Sequence, residues 1–199
     1  METLDFIFDF GSPNAYLVHK VLPEFKLVNN IHINYMPCLL GGIFKQTNNR
    51  SPMEAFTNIL GKSDYENLEM KRFIEKHKIN NYNPNPFFPV NTLTLMRGAI
   101  VAHRENWLDN YIEAGFHHMW ENPKNMGDPE VYKNAMLSSG FNSSDLLNKI
   151  QTNEVKEQLI TNTRRAVEKG VFGVPTFFLE DQIFFGKERL TQIEAILTD

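Results

Sequence analysis

Leu4, Phe6, Phe8 and Phe10 fall at every second position of Leu4-Asp5-Phe6-Ile7-Phe8-Asp9-Phe10. An extended chain carries all four on one face, so the segment predicts a strand. Gly11 breaks the pattern, and Ser12-Pro13 follows as a helix start, with serine as N-cap and proline as the first helical residue. Val18, Val21, Leu22 and Phe25 then recur at i, i+3, i+4 and i+7, one face of a helix. Ile31, Ile33 and Tyr35 alternate with His32 and Asn34, which predicts a second strand. The first stretch therefore reads β-α-β, and a helix between two strands favours parallel pairing.

The period changes after Gly41-Gly42. Ser51-Pro52-Met53-Glu54 and Ser63-Asp64-Tyr65-Glu66 both have the form of a capping box. Asn80 to Pro89 is a Pro/Asn-rich loop, after which Asn91-Thr92 can cap a helix carrying Leu93, Met96, Ile100 and Val101. Another helix carries Leu108, Tyr111, Ile112, Phe116 and Met119, and one more starts at Asp128-Pro129 and stops at Gly140. Val155, Leu159, Ile160, Thr163, Ala166 and Val167 mark a long helix stopped by Gly170. Thr176 to Leu179 and Gln182 to Phe185 flank Glu180-Asp181 as a hairpin, and Lys187 to Leu197 closes the chain as a helix. The two ends make one mixed sheet with helices on both faces. The expected division is residues 1–46 with 153–199 as one α/β domain, and 47–152 as an inserted all-helical domain.

Bulk properties narrow the function. The chain has 199 residues, 42% hydrophobic and 22% charged, enough for one sizeable core. A net charge of −4 offers no general nucleic-acid surface and no polybasic membrane patch. Apolar runs fall far short of the roughly 20 residues a membrane span needs. The acidic N-terminus runs straight into a strand pattern, so no signal peptide is expected. A single cysteine, Cys38, rules out an internal disulfide and suits a reducing cytoplasm. His117 and His118 are adjacent and lack i, i+4 geometry, so no metal site is expected.

Three segments carry candidate chemistry. Ser12 ends a strand and begins a helix at the mouth of a parallel βα unit, where ligands collect and where a helix N-terminus favours an anion. Read alone, it is an N-cap. Gly173-Val174-Pro175 opens a strand with a proline, and a tight, cis Val174-Pro175 turn would free the Val174 backbone to pair with a peptide-like ligand. Gly186-Lys187-Glu188-Arg189 is a strand-to-helix turn whose amides suit a carboxylate.

Together with the order of elements, these segments resemble the 2-hydroxychromene-2-carboxylate isomerase family, relatives of the kappa-class glutathione transferases. Those in turn resemble the periplasmic disulfide oxidoreductases with an inserted helical domain. The resemblance spans the chain: Asp9-Phe10-Gly11-Ser12-Pro13-Asn14-Ala15-Tyr16-Leu17, Met36-Pro37, Gly41 to Lys45, Phe88 to Thr92, Asp128 to Val131, Phe172 to Phe178 and Phe185 to Leu190. It implies a thioredoxin-like fold with glutathione as cofactor, a small aromatic substrate and a homodimer. By the same resemblance Ser12 faces the glutathione sulfur and Val174 pairs with the cysteinyl backbone. Lys187 and Glu188 take the γ-glutamyl end with Arg189 close by, and Asn49, or its neighbour Asn48, reaches the ligand. Asn14 stands where the family often has an aromatic residue and belongs to the pocket wall. Phe88 and Asn91 line the side for the aromatic substrate.

A free thiol titrates near ~8.5, and a hydroxyl donor and a helix N-terminus both favour its anion. Added to a conjugated carbon, that thiolate lets the bond rotate, and elimination then gives the other isomer. Ser12 has no base motif beside it, so it is assigned to holding the thiolate rather than to attack. A kappa-like transferase or peroxidase would use the same site. A disulfide oxidoreductase lacks its C-x-x-C here, since the site reads Gly11-Ser12-Pro13-Asn14. A non-catalytic binding module on the same fold is the remaining alternative.

Overall fold

The computed structural model describes residues 1–198. In chain order it has β1 (Thr3–Phe8), α1 (Pro13–Asn29), β2 (His32–Pro37), α2 (Leu40–Thr47), α3 (Pro52–Phe56), α4 (Lys62–Lys76), α5 (Leu93–Arg104), α6 (Leu108–Trp120), α7 (Pro129–Ser138), α8 (Ser143–Lys149), α9 (Asn153–Glu168), β3 (Thr176–Leu179), β4 (Gln182–Phe185), a 3-10 turn (Lys187–Arg189) and α10 (Leu190–Thr198). The sheet order is β2-β1-β3-β4. β1 runs parallel to β2, with Thr3 opposite His32 and Phe8 opposite Pro37, and antiparallel to β3, with Leu4 opposite Leu179. β3 and β4 form the expected hairpin, with Phe178 opposite Ile183. The fold is α/β with a thioredoxin-like sheet and a run of helices between β2 and β3, as the resemblance implied.

The alternation in β1 decides what packs where. Leu4, Phe6, Phe8 and Phe10 are fully buried in one core with Phe177 and with Tyr16, Tyr111 and Phe116 from α1 and α6. Ile7, on the opposite face, joins Phe178, Cys38, Ile43 and Ala166 under α2 and α9. The strand stops at Phe8, two residues before its apolar pattern does. Asp9 is the reason: its Oδ1 accepts the Gly11 N–H at 2.8 Å, a side-chain turn that competes with the β-ladder and swings the chain into α1.

Three local readings need correction. Ser63 does not cap a helix, because α4 has already begun at Lys62 behind Gly61, whose φ is +78°. α2 runs through Gly41-Gly42, where glycine argues against helix. An ideal Cβ on Gly42 would lie 3.1 Å from Thr163 Cγ2, so the glycine lets α2 lie close on α9. α8 escaped the periodicity reading, being only seven residues long.

Candidate active site

Ser12 sits where β1 hands over to α1, and it serves two purposes at once. Its Oγ accepts the Ala15 N–H at 3.1 Å, which is the helix cap. The same hydroxyl donates to the Val174 carbonyl at 3.3 Å, across 162 residues of sequence. The helix start and the loop before β3 are thus joined at the two residues singled out for ligand contact. Both are nearly buried, at 6% and 8% exposure. The Val174–Pro175 peptide is cis, and so is Phe88–Pro89 in the insertion. Gly186 N–H donates to the Pro175 carbonyl at 3.0 Å, which ties the last turn to the same loop.

Of the two adjacent asparagines, Asn49 is the one joined to this loop. Its Nδ2 donates to the Phe172 carbonyl at 2.8 Å, two residues before Val174. Asn48 instead closes α2 in a left-handed conformation, φ 56°, with its N–H on the Phe44 carbonyl. Asn14, in the first turn of α1, has its Oδ1 buried without a donor. An acceptor left in that state costs stability unless a ligand supplies an N–H.

The insertion reaches the site from the other side. The Phe88 ring lies 5.8 Å from that of Trp120, whose Nε1 donates to the Phe10 carbonyl at 2.8 Å. Asn91 spends its Oδ1 on the Leu93 N–H, capping α5. Thr92, expected only as a cap of α5, also packs against the Ser12 loop: it is 7% exposed, and an ideal Cβ on Gly11 would lie 3.3 Å from its Cγ2.

Lys187 is also buried, at 4% exposure. Its ammonium lies 5.7 Å from the centre of the Phe73 ring of α4 and pairs with Glu188. Both residues line a cleft of about 410 Å³ between α1, α4 and α10 that none of Ser12, Asn14, Asn49, Val174, Phe88 or Asn91 borders. Arg189 is exposed, with its N–H on the Gly186 carbonyl at 3.2 Å.

Electrostatics separate Ser12 from the one thiol of the chain. Cys38 is fully buried at the end of β2, and burial, aided by the charge of Asp9, pushes its thiol up to about 12. Such a thiol stays protonated and unreactive at neutral pH. Any thiolate held at Ser12 must therefore come from a ligand.

A family model described as a DSBA-like thioredoxin domain matches residues 3–198. The 2-hydroxychromene-2-carboxylate isomerase of Sphingobium xenophagum is 24% identical over 198 residues, covering 100% of this chain and 99% of the relative. Glutathione S-transferase kappa 1 of Rattus norvegicus is 25% identical, covering 98% and 91%. A solved structure of 2-hydroxychromene-2-carboxylate isomerase superposes with a TM-score of 0.83 at 24% identity, over 98% of this chain and 94% of that one, a likeness of fold. The chain is thus similar to named enzymes over its whole length.

Proposed function

The chain belongs to the DSBA-like thioredoxin domain family, and from that premise we propose that it is a glutathione-dependent isomerase of 2-hydroxychromene-2-carboxylate-type aromatic compounds. The observation that carries this reading is the Ser12 hydroxyl set between a helix N-terminus and the Val174 carbonyl. The residues present fit glutathione: a hydroxyl proton for a thiolate, a cis-proline loop for a peptide backbone, and the orphaned Asn14 Oδ1 for an N–H. Glutathione would supply the thiolate that adds to the conjugated double bond and leaves again after rotation.

The chain's own residues do the rest. Ser12 keeps its acceptor side on the Ala15 N–H and turns its proton from Val174 toward the sulfur, so the cap survives the switch. The Val174 backbone, and Asn49 joined to the same loop through the Phe172 carbonyl, hold the peptide. Phe88 and Asn91 flank the aromatic substrate from the insertion. The Lys187-Glu188-Arg189 turn receives the γ-glutamyl end through its backbone, since the Lys187 side chain is committed to Phe73 and Glu188. The same reading has residues 47–152 as an insertion into a domain of 1–46 and 153–199. It has the chain working in the cytoplasm as a homodimer.

The test is the absorbance of a hydroxychromene carboxylate followed with and without glutathione. Turnover is expected only with glutathione. Ser12→Ala is expected to lower kcat/KM about 10- to 100-fold, because a hydrogen bond to a charged group contributes roughly 1.5–3 kcal/mol. Full activity without glutathione overturns the proposal. The similarity to the kappa transferase favours conjugation to an electrophilic acceptor as a second reading, and the same enzyme assayed on both substrates separates them.

A further inference from the structure

Asp9 is a carboxylate with no solvent exposure that the chemistry above does not use. Its Oδ1 accepts the Gly11 N–H at 2.8 Å, and its Oδ2 accepts the Leu40 N–H at 2.7 Å. The Thr92 hydroxyl lies on the same side: it favours the charged form of Asp9, and Thr92 Cγ2 and Oγ1 stand 3.3 and 3.8 Å from where a Cβ on Gly11 would lie. Its own carbonyl accepts the Ser12 N–H at 3.1 Å. One residue therefore ties together the turn that carries Ser12 and the first residue of α2, with the residue before α5 packed beside that turn. Both N–H donors come from segments that border the candidate site; burial raises the Asp9 carboxyl above the usual range, and the Leu40 and Gly11 N–H groups oppose that.

We propose that Asp9 is a positioning residue for Ser12, and that Thr92, packed beside the same turn, couples the geometry of the site to the inserted helices. The proposal rests on the reading that Ser12 holds a bound thiol as thiolate. Asp9 acts by geometry and against its own charge. A buried negative charge beside a thiol disfavours the thiolate, as its effect on Cys38 shows. The carboxylate is retained because two backbone N–H groups need an acceptor-only partner. Asparagine has the same shape, but its NH₂ would face a backbone N–H.

That opposition gives the test a sign. The pH titration of the ultraviolet thiolate band of bound glutathione is measured for the wild type, Asp9→Asn, Thr92→Val and Ser12→Ala, with folding checked by circular dichroism. If Asp9 worked through charge, Asp9→Asn would lower the pKa of the bound thiol. Positioning predicts the reverse: the pKa rises, the thiolate fraction near neutral pH falls at least about threefold, and kcat falls on the order of tenfold, as expected for one lost hydrogen bond to a charged group. Thr92→Val is expected to move the thiol in the same direction by less, with the KM for glutathione nearly unchanged. A thiol that responds to Ser12→Ala, but is unmoved or more acidic in Asp9→Asn, overturns the positioning role and leaves the proposed function standing. A thiol that ignores Ser12→Ala overturns both. Should Asp9→Asn fail to fold, Thr92→Val decides alone, and an unmoved thiol there overturns the proposal.

Discussion

Gly115 lies in α6 with its face against Phe10, the residue two before Ser12. Replacing it with alanine sets two known effects against each other. In a helix interior alanine is favoured over glycine by up to about 1 kcal/mol. An ideal Cβ at this position would lie 2.4 Å from Phe10 Cε1 and 2.7 Å from Cζ. Carbon atoms rest at about 3.5–4.0 Å, so the ring must retreat by roughly 1 Å. It has nowhere to go. Phe10 has no exposure, and its ring meets those of Phe116 at 4.9 Å, Phe8 at 5.4 Å and Tyr111 at 5.9 Å. Its carbonyl is held by Trp120 Nε1.

Overpacking of this kind costs about 1–3 kcal/mol, so the clash exceeds the propensity gain and the net effect is destabilising by roughly 1–2 kcal/mol. Gly41→Ala is the matched control. Gly41 is also helical, with nothing within 4 Å of its ideal Cβ, so the same substitution is expected to stabilise by up to about 1 kcal/mol. Urea unfolding with unchanged slope measures both. Equal signs for the two variants, or a Gly115→Ala protein as stable as the wild type, refutes the reasoning.

Two further outcomes follow from burial. Cys38 is expected to stay unmodified by an aromatic disulfide reagent at pH 8 in the native protein and to react in urea; equal rates in the two states contradict its burial and its raised pKa. Burial first, then the charges of Lys124 and His117, lowers the His118 imidazole to about 4. Its Nδ1 accepts from Lys124 Nζ at 3.0 Å and its Nε2–H donates to Ser139 Oγ at 2.8 Å, so the folded state holds it neutral. The unfolded chain takes up that proton near pH 6.5, so this contribution is complete above 6.5 and is lost as the pH falls toward 4. Urea midpoints at pH 7 and 4.5 for the wild type and His118→Gln measure it, and parallel losses in the two proteins count against this assignment.

What could be read along the chain was whatever depends on near neighbours in sequence. The β1 alternation, the Ser12-Pro13 helix start and the β3–β4 hairpin all obey local periods, and each stands where its pattern put it. Failures came where a distant contact overrides a local preference. Gly42 looks like a helix breaker until Thr163 is brought against it. The burial of the Lys187 side chain is likewise invisible along the chain, since the ring that covers it lies 114 positions earlier. Asp9 looks like one polar residue in a strand, because the Leu40 N–H that gives it a task meets it only in the folded chain.

Ser12 shows why a local reading can be true and still fall short. The cap is real: the Ala15 N–H occupies one acceptor site on the hydroxyl oxygen. A serine hydroxyl has one proton and two lone pairs, so capping leaves the proton free. It goes to the Val174 carbonyl, which stands where a peptide ligand is expected to pair. The cap therefore does not compete with a role in catalysis. By fixing the oxygen against the first turn of α1, it orients the single proton that a thiolate would need.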